Sequence, residues 1–376
     1  MGTVLLLVAA IAFLAYSNGA NDNFKGVATL FGSHTTDYRR ALWWATATTL
    51  AGSCAAVLLS GGVVKAFSGK GLVPDVLTHN PSFLLAVACG AALTVMVATL
   101  TGWPISTTHA LTGALVGAGM SAVGAVNISK LGQGFFMPLA VSPFLGLAIT
   151  SAVYPLLRLM RMRFGVERQM CLCVDGGAVE PVRIQSDGTA VLSASGLTLS
   201  VGQLSQCTER YHGRVFGIDS QWILDRLHFV SAGAVSFARG LNDTPKIVAL
   251  LVAAAALHIQ LPTAMLLVGV AMAIGGLLNA RRVARTMSER ITAMNHGQGF
   301  TANLVTAFLI LVASRWGLPV STTHVSCGSL FGLGAVTRQG QWATVRSILL
   351  AWVVTLPASA LFAAAAYPTF HVFLHV

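Results

Sequence analysis

Charged side chains are scarce in this chain of 376 residues: only 9% are Asp, Glu, Lys or Arg, whereas 55% are hydrophobic. A soluble domain carries about 25% charged residues, so the composition excludes a water-soluble protein or soluble enzyme. Apolar runs at Phe83–Leu100, Ile105–Val126 and Trp342–Tyr367 approach or exceed the ~20 residues that cross the hydrocarbon core of a bilayer. The sequence therefore predicts an all-α polytopic membrane protein.

Cysteine is scarce as well, and the chain begins without a basic segment. Of the six cysteines, Cys171, Cys173 and Cys207 lie in a polar central segment. Their spacing is weak evidence for zinc, and we expect free thiols in a reducing compartment. No Lys or Arg precedes Lys25, so the first apolar run lacks the basic start of a cleaved signal peptide. We expect that run to stay in the protein as its first span.

The net charge of +11 does not require a nucleic-acid partner. Basic residues of membrane proteins accumulate in cytoplasmic loops, and that explanation fits an apolar chain better. The sequence also contains no nucleophile–base pair and no nucleotide motif, so neither an enzyme nor a cofactor is expected.

Two motifs occur twice, in the same order along the chain. Gly19–Lys25, GANDNFK, recurs as Gly240–Lys246, GLNDTPK; Gly102–His109, GWPISTTH, recurs as Gly317–His324, GLPVSTTH. This duplication predicts two homologous transmembrane repeats, residues 1–157 and 227–376, on either side of a polar insert at 158–226.

Loop charges predict that the two repeats have inverted topology. The loop that contains Arg39 and Arg40 is basic, whereas its counterpart at 258–262 carries no formal charge; the next long loop is more strongly basic in the second repeat, with four arginines in 281–290. Because positive loops stay in the cytoplasm, corresponding loops lie on opposite sides, as in many secondary transporters. The arginines at 158–168 place the insert in the cytoplasm and both termini outside the cell membrane.

The insert differs in composition from the rest of the chain. It holds 15 of the 35 charged residues, between Arg158 and Arg226. Short β-type runs, among them 170–174, 182–184 and 189–192, are separated by turn signals and predict a small β-rich cytoplasmic module. A passive linker is favoured over a regulatory ligand site.

Two of the five acidic residues outside the insert, Asp22 and Asp243, occupy matching positions in the repeats. Ionisable groups at membrane depth are costly and usually functional, although a helix cap is the alternative for a single Asn-Asp pair. Together with Asn21 and Asn242, the two acids are predicted to break their helices at mid-membrane. Their oxygen atoms are candidates to bind a sodium ion or substrate, or to carry a coupling proton.

Lys25 and Lys246 are two of only five lysines, and each follows its Asp by three residues, about one helical turn. One interpretation is that the Asp and Lys of each ion pair only neutralise each other's charge and bind no ligand. We favour the other, in which both ammonium groups face a central cavity and attract an anion.

The Pro-x-Ser-Thr-Thr-His blocks predict helix N-termini at the tips of re-entrant hairpins. Ser106 and Ser321 suit the N-cap position, and a helix N-terminus with free N–H donors binds tetrahedral oxyanions. His109 and His324 either titrate near neutral pH or are buried structural residues. The candidate substrate-binding hydroxyls are those of Ser106, Thr107, Thr108, Ser321, Thr322 and Thr323.

These four motifs resemble those of the inorganic phosphate transporter (PiT) family, whose signature is a repeated Gly-Ala-Asn-Asp block accompanied by Pro-x-Ser-Thr-Thr-His blocks. The resemblance covers both repeats, and it covers the insert only by position. It implies an inverted-repeat symporter that moves phosphate inward with sodium or protons. It also implies that the Asn-Asp pairs bind coupling ions or phosphate, with possible sodium sites at Asp22 and Asp243, and that the Ser-Thr-Thr hydroxyls contact phosphate.

One departure from the family pattern bears on the coupling ion. Sodium-coupled members follow Asn-Asp with Val-Ala-Asn-Ala, whereas this chain ends the block with Lys25 and Lys246. A fixed ammonium group supplies a positive charge where a bound sodium ion supplies it in those members, which suggests fewer sodium sites or proton coupling. Sulfate permeases of the same architecture are the alternative for the substrate.

Other functional classes remain alternatives: an uncoupled oxyanion channel or exporter, and a receptor that senses phosphate. The expected partners are phosphate or sulfate and the lipid bilayer, and a homodimer would be unsurprising.

Overall fold

The structure is a computed structural model, and it describes residues 2–59, 63–64, 67–164, 167–169, 173–175, 198–200, 210–212, 214–215, 218–254, 259–318 and 320–374. Several features singled out in the sequence lie outside the described residues: the runs 182–184 and 189–192, Cys171, Cys207 and Pro319. The possible metal site at the insert cysteines therefore stays untested.

Helices dominate the described chain, as the composition predicts. They are α1 Gly2–Asp22, α2 Ala28–Gly32, α3 Tyr38–Leu59, α4 Asp75–Thr78, α5 Pro81–Thr101, α6 Thr107–Val123, α7 Ile128–Leu131, a π-helical turn Gly132–Phe136, α8 Met137–Arg163, α9 Ser220–Ala253, α10 Leu261–Asn279, α11 Arg281–Glu289, α12 His296–Arg315, α13 Thr322–Thr337 and α14 Trp342–Leu374.

Among the described residues, seven helical segments are long and apolar enough to cross a membrane: Gly2–Asp22, Tyr38–Leu58, Pro81–Thr101, Ile128–Arg163, Leu261–Asn279, His296–Arg315 and Trp342–Leu374. The distribution of polar groups is the reverse of that in a soluble protein. Large apolar side chains such as Leu5, Phe144 and Val353 are at least 70% exposed, whereas Asp22 and Lys246 are each 1% exposed. This arrangement suits a protein whose solvent is lipid, since polar groups must then be satisfied internally.

The predicted helix break occurs after Asp22 but not after Asp243. In the first motif, α1 ends at Asp22 and the chain turns until α2 begins at Ala28, with the Lys25 amide donating to the Asp22 carbonyl at 3.1 Å. In the second motif, α9 continues through Asp243 and Pro245 to Ala253, so the predicted second break is wrong. Proline withholds one amide donor, but neighbouring helices can satisfy the freed carbonyl in a membrane protein, and a helix then continues.

Helix contacts in the first part of the chain recur in the second. Helix α1 packs on α5 and α10, and α9 packs correspondingly on α12 and α3; likewise α6 packs on α14, and α13 on α8. Thus α14 lies against helices of the first repeat and α8 against those of the second. The matched contacts agree with a duplicated chain, while the division at 157 and 227 and the inverted topology stay predictions.

Glycine permits the closest of these crossings. A Cβ at Gly117 of α6 would lie 1.9 Å from the Ala360 carbonyl oxygen of α14, and one at Gly332 of α13 would lie 2.4 Å from the Leu147 oxygen of α8. Only glycine fits at such positions, as in the small-residue interfaces of membrane helices.

Within the insert, the structure describes six short strands, which pair as three antiparallel two-stranded units: β1 Glu167–Gln169 with β4 Arg210–His212, β2 Cys173–Asp175 with β3 Thr198–Ser200, and β5 Arg214–Val215 with β6 Ile218–Asp219. A β-rich module with a cytoplasmic location stays a prediction.

Candidate functional site

Asp22 lies at the C-terminal end of α1, in a fully buried polar cluster. One of its carboxylate oxygens pairs with the Lys25 ammonium group. The other, Oδ2, accepts hydrogen bonds from Asn18 Nδ2 at 3.0 Å and from Thr107 Oγ1 at 3.2 Å. Thr107 is the first residue of α6. Helices α5 and α6 form one helical hairpin and α12 and α13 a second, and we call the turns at 102–106 and 316–321 the hairpin tips. The Asp22 carboxylate thus joins α1 to the first hairpin tip.

Asp243 on α9 makes the corresponding contacts in the second repeat. Its Oδ1 pairs with Lys246 Nζ at 2.9 Å, and its Oδ2 accepts a hydrogen bond from Thr322 Oγ1 at 3.2 Å. Thr322 is the first residue of α13. The predicted Asp–Lys pairs are therefore present at both positions, although only one lies beside a helix break.

Each lysine also reaches across to the opposite repeat. Lys25 Nζ donates to Thr323 Oγ1 at 2.6 Å, and Lys246 Nζ donates to Thr108 Oγ1 at 2.8 Å. Each ammonium group completes its contacts on the backbone of a hairpin tip, Lys25 on the Ile105 carbonyl and Lys246 on that of Val320, both at 2.9 Å. The two hairpin tips are thus held together by two crossed ammonium–hydroxyl bonds.

The lysines have no donor left for an anion in this conformation. An ammonium group has three donors, and Lys246 Nζ has three protein acceptors while Lys25 Nζ has four, including Asn21 Oδ1 at 2.8 Å. The expectation that both ammonium groups face a central cavity is therefore not met by this structure. Their assignment to substrate binding stays a prediction, and it requires that some of these bonds break.

The N-cap assignment of the two serines is confirmed. Ser106 Oγ accepts from the His109 amide at 3.1 Å and Ser321 Oγ accepts from the His324 amide at 3.2 Å. The first residues of α6 and α13, Thr107 and Thr322, donate to Asp22 and Asp243, so the positive ends of these helices lie beside the buried carboxylates and are stabilised by them. The six hydroxyls of the Ser-Thr-Thr blocks accordingly converge on one region of the molecule.

Asn21 and Asn242 hold the hairpins in place. Asn21 Nδ2 donates to Thr99 Oγ1 at 3.0 Å and to the Trp103 carbonyl at 3.1 Å. Asn242 Nδ2 donates to the Val320 carbonyl at 3.3 Å. The predicted contact of these side chains with ion or substrate stays untested, but their position beside each hairpin tip is established.

The rings of His109 and His324 pack against each other, one from each Ser-Thr-Thr-His block. The ring centroids of His109 and His324 lie 4.5 Å apart, and the His324 ring lies 3.9 Å from that of Trp352. His324 Nδ1 is 3.1 Å from the Leu139 carbonyl. This packing favours the structural interpretation of His324.

Sequence reasoning missed Arg239, which directly precedes the second Gly-x-Asn-Asp motif. Its side chain is 1% exposed and is the largest fully buried side chain of the described chain. The signal available in the sequence was its place four residues before Asp243, on the same face of α9.

A basic surface pocket lies next to the site. Leu100, Arg281, Arg282 and Arg285 line it together with Thr99, the residue that Asn21 contacts. Helix α11 thereby places three positive charges in a pocket that only the Thr99 side chain separates from Asn21 of the buried polar cluster.

Fold and site together define a multi-pass helical membrane protein of the transporter class, with a symmetric polar centre between its hairpin tips. The sequence model of the Phosphate transporter family matches residues 18–363, and the chain belongs to this family. The resemblance drawn from the repeated motifs is thereby confirmed. The family consists of transporters, in agreement with the expectation that the chain is not an enzyme.

Relatives along the whole chain carry matching descriptions. A Rhizobium meliloti (strain 1021) protein named "Probable low-affinity inorganic phosphate transporter" is 29% identical and aligned over 96% of this chain and 94% of its own length. "Inorganic phosphate transporter 2-1, chloroplastic" of Arabidopsis thaliana is 27% identical over 95% of this chain and 71% of its own.

A solved structure described as "The sodium-dependent phosphate transporter" has the same fold. It superposes with a TM-score of 0.76 at 23% identity and covers 99% of this chain and 100% of its own. The helical membrane fold is therefore shared along the full length of both chains.

Proposed function

We propose that the protein is a secondary transporter that imports inorganic phosphate by symport with a cation, and that this cation is a proton. The observation that carries the proposal is the crossed arrangement of two buried Asp–Lys pairs, each bonded to a threonine at the opposite hairpin tip. A site built from both repeats can change its exposure when the repeats move relative to each other, as alternating access requires.

The chemistry of the hairpin tips supports an oxyanion substrate. Threonine hydroxyls and helix N-termini supply hydrogen-bond donors without adding a full charge. Protonated phosphate also needs an acceptor, and Asp22 and Asp243 can supply one. The family and the descriptions of the relatives favour phosphate over sulfate.

The contacts of the two carboxylates favour a proton over sodium. A sodium ion at Asp22 would be a second full positive charge beside the Lys25 ammonium group, which already pairs with this carboxylate, whereas Asn18 and Thr107 donate to its other oxygen. A proton that binds Asp22 instead removes the counter-charge of Lys25. The ammonium group can then leave the carboxylate and donate to the anion, so that proton binding and phosphate binding favour each other.

Uptake of radiolabelled phosphate by proteoliposomes tests the proposal. We expect accumulation above the external concentration under an inward proton gradient, with no added effect of a sodium gradient. Accumulation that requires sodium would contradict the proton assignment. Equilibration without accumulation under either gradient would instead indicate a channel, and preferential competition by sulfate would change the substrate.

A further inference from the structure

Arg239 is a buried cation without a hydrogen-bond partner. Its Nε, Nη1 and Nη2 atoms are all inaccessible to solvent and make no hydrogen bond to any residue that the structure describes. An arginine side chain stays charged in proteins, and leaving a buried charge uncompensated is strongly destabilising. The guanidinium group therefore requires a partner of opposite charge for at least part of the transport cycle.

The surroundings of Arg239 place it at the site. Arg239 lies one helical turn before Asp243 on the buried part of α9, and Asp22 is also close enough to interact with it electrostatically; both carboxylates are already paired with lysines. The repeat assigns Arg239 to the position of Asn18, the residue directly before the first Gly-x-Asn-Asp motif. Asn18 donates to Asp22 and to Thr107, whereas the guanidinium group at the matched position donates to neither counterpart.

Charge balance points in the same direction. The two acids and two lysines of the site sum to zero, so Arg239 gives the buried centre a net charge of +1. Before a proton binds Asp22, a monovalent anion restores neutrality, and the planar guanidinium fork matches two oxygens of a tetrahedral oxyanion. While both Asp–Lys pairs are intact, the lysines are less suited to this role because protein acceptors already occupy their donors.

From these observations we infer that Arg239 is the primary anion-binding residue of the site and donates directly to the transported oxyanion. This inference rests on the proposed function and adds a residue to it. It makes two opposite predictions for Arg239→Met: without phosphate, the variant is at least as stable as the wild type because an unpaired buried charge is gone, but it loses phosphate binding.

The test measures thermal unfolding and binding of inorganic phosphate with purified full-length protein in detergent. For Arg239→Met we expect an unfolding midpoint at or above the wild-type value in phosphate-free buffer, little or no rise on phosphate addition, and roughly 10- to 100-fold weaker binding, the range for lost bonds to a charged group. Arg346→Gln removes an exposed arginine and serves as the charge-matched control; it should behave as the wild type.

Wild-type phosphate binding by Arg239→Met would overturn the inference, because the arginine would then not bind the anion. Unfolding of that variant in phosphate-free buffer would also overturn it, because the arginine would then be structural. Arg239→Lys gives a second readout, because it keeps the charge without the bidentate fork. It should fold and bind phosphate more weakly than the wild type, and unchanged affinity would contradict direct bidentate donation. Wild-type protein that neither binds nor accumulates phosphate would refute the proposed function itself, which separates the two failures.

Discussion

Removal of one hydroxyl, in Thr323→Val, should weaken the contact between the two hairpin tips. Thr323 Oγ1 accepts from Lys25 Nζ at 2.6 Å and donates to the Ile105 carbonyl at 2.9 Å, and valine has nearly the same shape. Hydrogen bonds to charged groups contribute about 1.5–3 kcal/mol and neutral ones about 1 kcal/mol. Because Lys25 retains three other acceptors, we expect a loss near the lower end, about 2 kcal/mol in the free energy of unfolding.

Chemical unfolding of the purified protein measures this loss, with Thr355→Val as the matched control. Thr355 is equally buried, but its hydroxyl bonds only the Ala351 carbonyl one turn earlier in α14, so its replacement should cost well under about 1 kcal/mol. A double-mutant cycle with Lys25→Met should give a coupling energy of about 1–3 kcal/mol between Lys25 and Thr323. Equal stabilities of the two valine variants, or zero coupling in the cycle, would refute the crossed-bond reasoning.

Three further changes have distinct expected outcomes. Asp22→Asn cannot bind or release a coupling proton, and it should abolish accumulation of phosphate while expression persists. Exposed Asp37→Asn should leave uptake unchanged, and wild-type accumulation by Asp22→Asn would overturn the site assignment. Gly332→Ala places a Cβ 2.4 Å from a backbone oxygen and should lower the unfolding midpoint, whereas Gly132→Ala meets no atom within 4 Å and should not. Arg285→Gln should raise the KM for phosphate at low ionic strength, and the difference should shrink in high salt; a salt-independent effect would exclude electrostatic steering.

Much of the fold and of the site could be predicted because charged residues are scarce in this chain, so the few that lie in apolar segments are easy to recognise. Few charges interrupt the apolar runs, so the membrane class followed from composition. Asp22 and Lys25 recur at matched positions, so their pairing followed from helical spacing. The N-cap role of Ser106 followed from local chemistry, which depends on the four residues after it and on little else.

The missed features depend on tertiary contacts. Asn242 and Asp243 were expected to break their helix, but neighbouring helices can satisfy the backbone groups that Pro245 leaves free, and α9 continues. The ammonium group of Lys246 was expected to face a cavity. Its acceptors, Thr108 and Val320, are distant from it in sequence, so the motif alone could not predict that they occupy its donors. The position of Arg239 is occupied by Asn18 in the first repeat, so a comparison of the two motifs does not identify the arginine.

The crossed lysine bonds also bear on how the protein is made. Lys25 and Thr323 are separated by 298 residues, so the first lysine leaves the ribosome long before its hydroxyl partner exists. Until α13 is inserted, the ammonium group of Lys25 lacks one of its four protein acceptors. A chain that stops before α13 therefore lacks Thr323 and its bond to Lys25, so the contact between the two helical hairpins can form only when synthesis is nearly finished.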